Sequence, residues 1–354
     1  MMGLKTLRDK IDALDRKIVK LLNSRTRIIL NIAKEKRKSG KNIYVPERES
    51  QILRRISSFT HGPLNKEALK EIYRQIMSSS LQLEKSLRIA YMGPEASFSN
   101  LAALKKFGSQ VGYASCASIA DVFLEVERGS ADYGVVPIEN SIEGAVTYTL
   151  DVLVDSDLKI CSQIILEVTH NLLSNCAKGK IKKIYSNPNV FGQCRGWLKE
   201  NFPSAEQVEV SSTTRAAEAA SKEKNSACIA SLLAAEAYKL RVAASHIEDS
   251  PNNITRFFVI GKISAGKTGH DKTSILFSIK DRVGALHDML MPFKKNKINL
   301  TKIESRPSKK KAWDYYFFVD LKGHKDEPGV AKALLELENK CKFLKILGSY
   351  PIEE

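Results

Sequence analysis

Residues 4–39 read LKTLRDKIDALDRKIVKLLNSRTRIILNIAKEKRKS. Apolar side chains fall at Leu4, Leu7, Ile11, Leu14, Ile18 and Leu21, a 3,4 rhythm that predicts one long amphipathic helix. The next seam position is Arg25, and the rhythm resumes behind it at Ile28 and Ile32. A guanidinium keeps its charge, so on an enclosed seam it needs an anionic partner, either a carboxylate of the protein or an anionic ligand. Lys36 lies 11 residues further on, which at ~100° per residue returns it to within about 20° of the same face. Two cations on one stripe favour the ligand. Arg8, 17 residues before Arg25, points about 100° away and is better placed to serve a partner's pocket than its own. A helix of this length spans ~54 Å and is expected to pack along a second copy of itself.

Outward from this helix, residues 1–86 read as all helical, with a second helix opening after Pro46 (ERESQILRRISSF) and a third from Lys66 to about Leu87. In the third, Ser80 and Glu84 are four apart and share a face. The chain has 354 residues and a net charge of +16. The excess sits at the ends: 20 basic against 9 acidic residues over 1–86, 18 against 19 over 87–265, and 18 against 12 over 266–354. Nucleic-acid binding would account for that charge, but no aromatic platform is interleaved with it, and steering of small anionic substrates is an adequate alternative. No stretch reaches the ~20 apolar residues of a membrane span, and the charged start MMGLKTLRDKIDALD is unlike a signal peptide, so a cytoplasmic protein without membrane contact is expected. The six cysteines form no CxxC pair and the histidines no HExxH, so neither a disulfide framework nor a metal is expected.

Residues 87–265 alternate short apolar strands (LRIAYMG, DYGVVPI, KIYS, SACIAS, RFFVIG) with helices (SNLAALKKFG, IADVFLEVERG, FGQCRGWLKENF, TTRAAEAASKE), the pattern of an α/β domain. Its loops GPEASFS, PIENSIEGA, NPNVFGQC and VSSTTRAAE are polar. Residues 271–354 follow the order βαββαβ of a ferredoxin-like unit. Between them GKISAGKT, residues 261–268, matches the phosphate-loop pattern literally, but strand-forming sequence follows it where a helix is needed, so it reads as a linker.

With these motifs in this order, the chain resembles the bifunctional chorismate mutase/prephenate dehydratase family with a C-terminal ACT domain. The first segment carries the resemblance through LRDKIDALDRKIVKLLNSR and PERE (46–49). The second carries it through GPEASFS (93–99), PIENS (137–141), Gln193-Cys194 and Thr255-Arg256-Phe257, and the third through GALH (284–287) and ESRP (304–307). The fold implied is multidomain α+β: an all-helical mutase domain (1–86), a two-lobed α/β dehydratase domain resembling type II periplasmic binding proteins (87–265) and an ACT domain (271–354). The resemblance implies no cofactor, chorismate and prephenate as substrates, L-phenylalanine as effector, and a homodimer or higher homo-oligomer.

For the mutase, it implies that Arg25 and the partner's Arg8 clamp the substrate carboxylates. Lys36 and Glu84 face the ether oxygen, Glu49 takes the ring hydroxyl, and Val45, Arg48 and Ser80 line the pocket. Two positions depart from a common pattern: Val45 stands where some relatives have Asp, and Glu84 where many have Gln. A glutamate donates to an ether oxygen only when protonated. For the dehydratase, Thr255 is the implied proton donor at the leaving hydroxyl, with Glu139 as rival on chemical grounds. Asn140, Ser141, Gln193, Ser97, Ser212, Thr213, Arg256 and Phe257 are the expected substrate-binding groups. Ala96 replaces the usual glycine after GPE, so that turn is expected to be built differently. In the ACT domain, Gly284, Ala285 and Leu286 with Glu304, Ser305, Arg306 and Pro307 are the expected phenylalanine site. A sensor that binds small molecules without chemistry is a further reading, against which the polar loops of the middle segment stand.

Overall fold

A computed structural model describes residues 3–39, 44–59, 61–279, 282–308 and 314–353. The chain forms two compact units, one of the residues up to Leu87 with Phe107–Gly112, the other of Arg88–Lys106 with Tyr113 onward.

The first unit is built on helices α1 (Leu4–Lys38), α2 (Pro46–Phe59) and α3 (Lys66–Glu84). Pro46 opens α2, where its missing N–H would have had no helical acceptor. Asn65 caps α3 by accepting from the Ala68 N–H at 2.7 Å. The third helix stops at Glu84, short of the expected end, because Lys85 turns to an extended backbone with φ −158° and ψ 136°. Within this one chain the seam of α1 is open to solvent: Leu21 is 69% and Ile28 61% exposed, and the buried residue of the helix is Ala33.

The second unit begins with β1 (Arg88–Met92), α4 (Phe98–Phe107), β2 (Gly112–Cys116), α5 (Ile119–Arg128), β3 (Tyr133–Asn140), β4 (Gly144–Ala145), α6 (Thr147–Asp155) and β5 (Lys159–Glu167). It continues through β6 (Asn171–Ser174), β7 (Lys183–Ser186), α7 (Pro188–Gln193), α8 (Arg195–Asn201), β8 (Glu206–Glu209), α9 (Thr213–Lys222), β9 (Ser226–Ala230), α10 (Leu232–Ala237) and β10 (Arg241–Ala244), and returns in β11 (Ile254–Gly261). One sheet has the order β2-β1-β3-β11-β5, the other β10-β6-β9-β7-β8. The chain crosses between the sheets at residues 168–170 and returns over 245–253, which makes the domain two-lobed with a double hinge.

Several elements were not legible beforehand. Strands β8 and β10 are four-residue sheet edges; EQVE carries no apolar run, and RVAA has only one β-branched residue beside two alanines, too little to read as a strand. The stretch FGQCRGWLKENF, expected as one helix, breaks at Cys194, where φ is −116° and ψ 14°.

The last segment is β12 (Asp271–Ser278), α11 (Ala285–Lys295), β13 (Leu300–Pro307), β14 (Tyr315–Lys322), α12 (Pro328–Glu338) and β15 (Phe343–Pro351), with sheet order β13-β14-β12-β15. Its strands alternate between two cores. Ile275, Phe277, Val319 and Leu321 pack under α11 and α12. Leu276, Phe318, Leu347 and Tyr350 share a core with Phe258, Ile260, Leu150 and Leu153 of the preceding domain. No helix separates β11 from β12, and in the linker the Thr268 and Gly269 N–H groups and the Thr268 hydroxyl donate to Asp271 at 2.8, 3.0 and 2.7 Å. The look-alike phosphate loop thus has no helix dipole behind it and spends these donors on its own carboxylate.

Candidate active sites

In the helical unit a cavity of about 660 Å³ is lined from all three helices, by Arg25 and Lys36 of α1, Arg48 and Glu49 of α2, and Ser80 and Glu84 of α3, with Val45 at its rim. The helical period that put Arg25 and Lys36 on one stripe brings both into it. Arg25 Nη1 donates to the Ser80 hydroxyl at 3.1 Å and, among the described residues, forms no ion pair with a carboxylate. Lys36 Nζ stands 4.0 Å from Glu84 Oε2, an atom that is buried and without a hydrogen-bond partner among the described residues. Burial pushes the Glu84 carboxyl up from its ordinary pKa, opposed by the charges of Lys36, Arg25 and Arg37. Tyr44, which the sequence did not single out, donates to Glu49 Oε2 at 2.6 Å. Arg8 is not at this cavity: it lies 17 residues up α1, about 26 Å away by helical rise.

The second constellation sits at the hinge of the two lobes. Register pairs Thr255 with Asn140. Asn140 Oδ1 accepts from the Ile142 and Glu143 N–H groups at 2.9 and 3.0 Å, so its amide nitrogen is the end that faces the neighbours. That nitrogen donates to Thr255 Oγ at 2.8 Å and to Asn253 Oδ1 at 2.7 Å. Asn253 in turn donates to Gln193 Oε1 at 2.8 Å, and Gln193 Nε2 donates to Glu143 Oε1 at 2.8 Å. Every amide in this ring has a fixed direction, and the Thr255 oxygen is an acceptor in it, which leaves its own proton free to point elsewhere. His170 closes on the same Gln193 Oε1 through Nε2 at 2.7 Å. The sequence missed Asn253, Glu143 and His170. Asn253 lies two residues before Thr255, but just outside the strand pattern, and His170 lies in a crossover that carries no motif.

Other expected residues fall elsewhere. Adjacent strand residues face opposite sides, and Glu139 and Arg256 point away from Asn140 and Thr255, toward the ACT sheet. Arg256 donates to Asp320 at 2.5 Å, to Gln163 at 3.0 Å and to the Tyr350 hydroxyl at 2.8 Å. Glu139 Oε2 lies 3.0 Å from Lys302 Nζ and 3.7 Å from Arg256 Nη1. Both expectations, Arg256 as a substrate ligand and Glu139 as rival donor, are therefore corrected: strand pleating turns these charges into an interdomain ion cluster. Phe257 is fully buried core. Ser141 stitches the start of β11, its hydroxyl donating to Asn252 O at 2.8 Å. Ser97 accepts from the Asn100 N–H at 3.3 Å, Ser212 caps α9, and Thr213 begins that helix; none of the three is hydrogen-bonded into the hinge ring. The turn at Ala96 keeps a left-handed φ of 63° despite the side chain, and the methyl is buried in a core cluster with Leu173 and Tyr185, so the expected rebuilding does not occur.

At the ACT segment Gly284, with φ 76°, starts α11, followed by buried Ala285 and exposed Leu286. The ESRP stretch lies on edge strand β13 and splits by parity. Glu304 and Arg306 are paired with Phe318 and Tyr316, on the face turned to the dehydratase-like lobe, where Arg306 lies 3.4 Å from Asp151. Ser305 and Pro307 lie on the opposite face and are exposed. The expectation that all four residues form one ligand wall is corrected accordingly.

A helical cation pocket, a two-lobed α/β body with a polar hinge site and a ferredoxin-like module define a multidomain enzyme of small carboxylate metabolites. The family model described as Chorismate mutase type II matches residues 7–85, Prephenate dehydratase residues 89–265, and ACT domain residues 273–339. The bifunctional chorismate mutase/prephenate dehydratase of Aquifex aeolicus is 50% identical over 356 residues, covering 99% of this chain and 98% of that one. Among solved structures, a prephenate dehydratase from Arthrobacter aurescens in complex with L-Phe aligns with a TM-score of 0.70 at 32% identity, covering 75% of this chain and 90% of that one. The Staphylococcus aureus prephenate dehydratase aligns at 0.65 and 30%, covering 75% and 100%. The chain belongs to the bifunctional chorismate mutase/prephenate dehydratase family, enzymes that join an isomerase to a lyase on one polypeptide.

Proposed function

We propose that the chain converts chorismate to prephenate in the helical cavity and prephenate to phenylpyruvate at the lobe hinge, with phenylalanine acting as feedback inhibitor through the ACT module. The carrying observation is the buried Glu84 oxygen that stands 4.0 Å from Lys36 Nζ and has no hydrogen-bond partner among the described residues. Rearrangement of chorismate is intramolecular and needs no nucleophile. The site has to hold the compact conformer and stabilise charge growing on the ether oxygen. In this reading Arg25 and the partner's Arg8 bind the two carboxylates, Lys36 and protonated Glu84 donate to the ether oxygen, and Glu49, held by Tyr44, receives the ring hydroxyl. Arg48, Ser80 and Val45 complete the wall. The open seam of α1 supports a homodimer in which each pocket borrows Arg8 across the helix pair.

In the second step the carboxylate carbon leaves as carbon dioxide, its bonding electrons aromatise the ring, and the ring hydroxyl departs with a proton as water. Hydroxide leaves poorly without that proton. Thr255 is the donor in this reading: Asn140 donates to its oxygen, so the threonine proton is directed to the substrate. Asn140, Asn253 and Gln193 hold the geometry.

Phenylalanine is proposed to bind between two ACT modules, at Gly284–Leu286 of one and the exposed Ser305 and Pro307 of the other. It inhibits only if it prefers a less active arrangement. The deciding experiment follows phenylpyruvate by its ultraviolet signal from chorismate and from prephenate, with and without phenylalanine. Thr255→Ala is expected to cut dehydration by at least about a hundredfold and to spare the mutase. Retained dehydration in that variant refutes the assignment.

A further inference from the structure

His170 occupies the first crossover between the lobes. The residue is buried, 1% exposed, and its ring meets that of Phe98 in a T-shaped contact with centroids 5.9 Å apart. The backbone holds it on both sides: its N–H donates to Glu248 Oε2 at 2.8 Å, and its carbonyl accepts from the Ile247 N–H at 3.0 Å, so the residue is pinned to the returning crossover. One ring nitrogen, Nε2, faces Gln193 Oε1 at 2.7 Å; the other, Nδ1, is buried with no partner among the described residues.

These contacts fix the proton. A carboxamide oxygen only accepts, and Gln193 Oε1 is identified as the oxygen because Asn253 donates to it while the nitrogen end donates to Glu143. The imidazole therefore carries its hydrogen on Nε2 and is neutral. A second proton on Nδ1 would be buried without an acceptor, and burial accordingly lowers the pKa of this histidine.

We infer that His170 is a positioning residue of the dehydratase: a rigid, neutral Nε2–H donor that anchors the Gln193 carboxamide to the hinge and turns its N–H bonds outward, one of them onto Glu143 across the cleft. Gln193 belongs to one lobe and Glu143 to the other, so the histidine sets the bond through which the lobes meet at Thr255's ring of amides. The inference rests on the hinge being the prephenate site.

The test uses the full-length enzyme with prephenate as substrate and the thermal unfolding transition of the same preparation as the folding control, since the mutase cavity lies in the other compact unit. His170→Leu removes the donor at similar bulk, whereas His170→Gln returns an N–H near the Nε2 position. H170L is expected to lower the dehydration kcat about tenfold or more with KM changed less than about threefold. H170Q is expected to recover most of the loss. In a Gln193→Leu background, adding H170L should cost less than about twofold more, because the histidine acts through that amide. Equal losses in H170L and H170Q, additive losses with Q193L, or an unimpaired H170L would each overturn the inference. Should H170L not fold, His170→Asn, whose amide is too short to reach Gln193, replaces it under the same expectations. Failure of the unaltered enzyme to turn over prephenate while it still consumes chorismate would instead remove the hinge reading on which the inference stands.

Discussion

A carboxyl group can hand a hydrogen to an ether oxygen only while it still holds one, and Glu84 is buried where it keeps its proton beyond the usual carboxylate range. Mutase activity is therefore expected to fall as pH rises through the Glu84 titration, and Glu84→Gln to flatten that limb. A pH profile of kcat/KM unchanged by the substitution would refute the role. Stability follows the same sign: a carboxyl whose folded pKa is raised contributes most on the acid side and loses that contribution as pH climbs through its folded value. Arg25 and Lys36 were legible in the sequence because a helix has one period, and counting along it tells which side chains share a face; for Ser80 and Glu84 the period gave only the shared face, and their place beside Arg25 and Lys36 came from the family resemblance. Tyr44 was not, since it lies in a connection where no period applies. His170 and Asn253 failed for the same reason, and Ala96 for another: the cost of a left-handed alanine was visible, while the buried methyl that offsets it was not.

At the level of elements, Leu7, Ile11, Leu14 and Ile18 form a continuous exposed apolar stripe on α1, the kind of surface that marks an interface. Arg8 sits at the same end of that helix. If the pocket is shared, Arg8→Ala and Arg25→Ala each abolish mutase activity alone, and co-refolding the two restores it, with about one quarter of all sites intact in a random mixture of dimers. Recovery of nothing above either parent would exclude a shared pocket. Strand β11 shows how far a motif can be read. The triplet Thr255-Arg256-Phe257 marked the right strand, yet pleating sends its central residue to the opposite face, and a sequence without its partners does not say which face is the cleft. The edge strands β8 and β10, short and half solvated, carried little signal: EQVE is polar, and RVAA offers only one β-branched residue beside two alanines.

On the scale of the molecule, charges beside each hinge residue run directly into the ACT sheet. Glu139 neighbours Asn140 and meets Lys302; Arg256 neighbours Thr255 and meets Asp320, which also accepts from the Ser274 hydroxyl. Lys302 shares strand β13 with the exposed Ser305 and Pro307, so a shift of that edge has a short path to the strands that carry Asn140 and Thr255. Lys302→Met is expected to keep dehydration within about threefold of the parent and to raise the phenylalanine concentration for half-inhibition several-fold, since one rim of the path is cut. An unaltered inhibition curve would show that the signal runs elsewhere.

The final strand also fixes what can be removed. Lys345 Nζ is wrapped by the carbonyls of Leu153, Val154 and Ser156 at 3.2, 2.8 and 2.7 Å, and a Cβ at Gly348 would stand 2.2 Å from Ile160 O. The C-terminal segment is thus masonry of the lyase as well as the module proposed to regulate it. Deleting it would expose Phe258 and Ile260 to water, so the proposed regulation is better dissected by single-residue edits than by truncation.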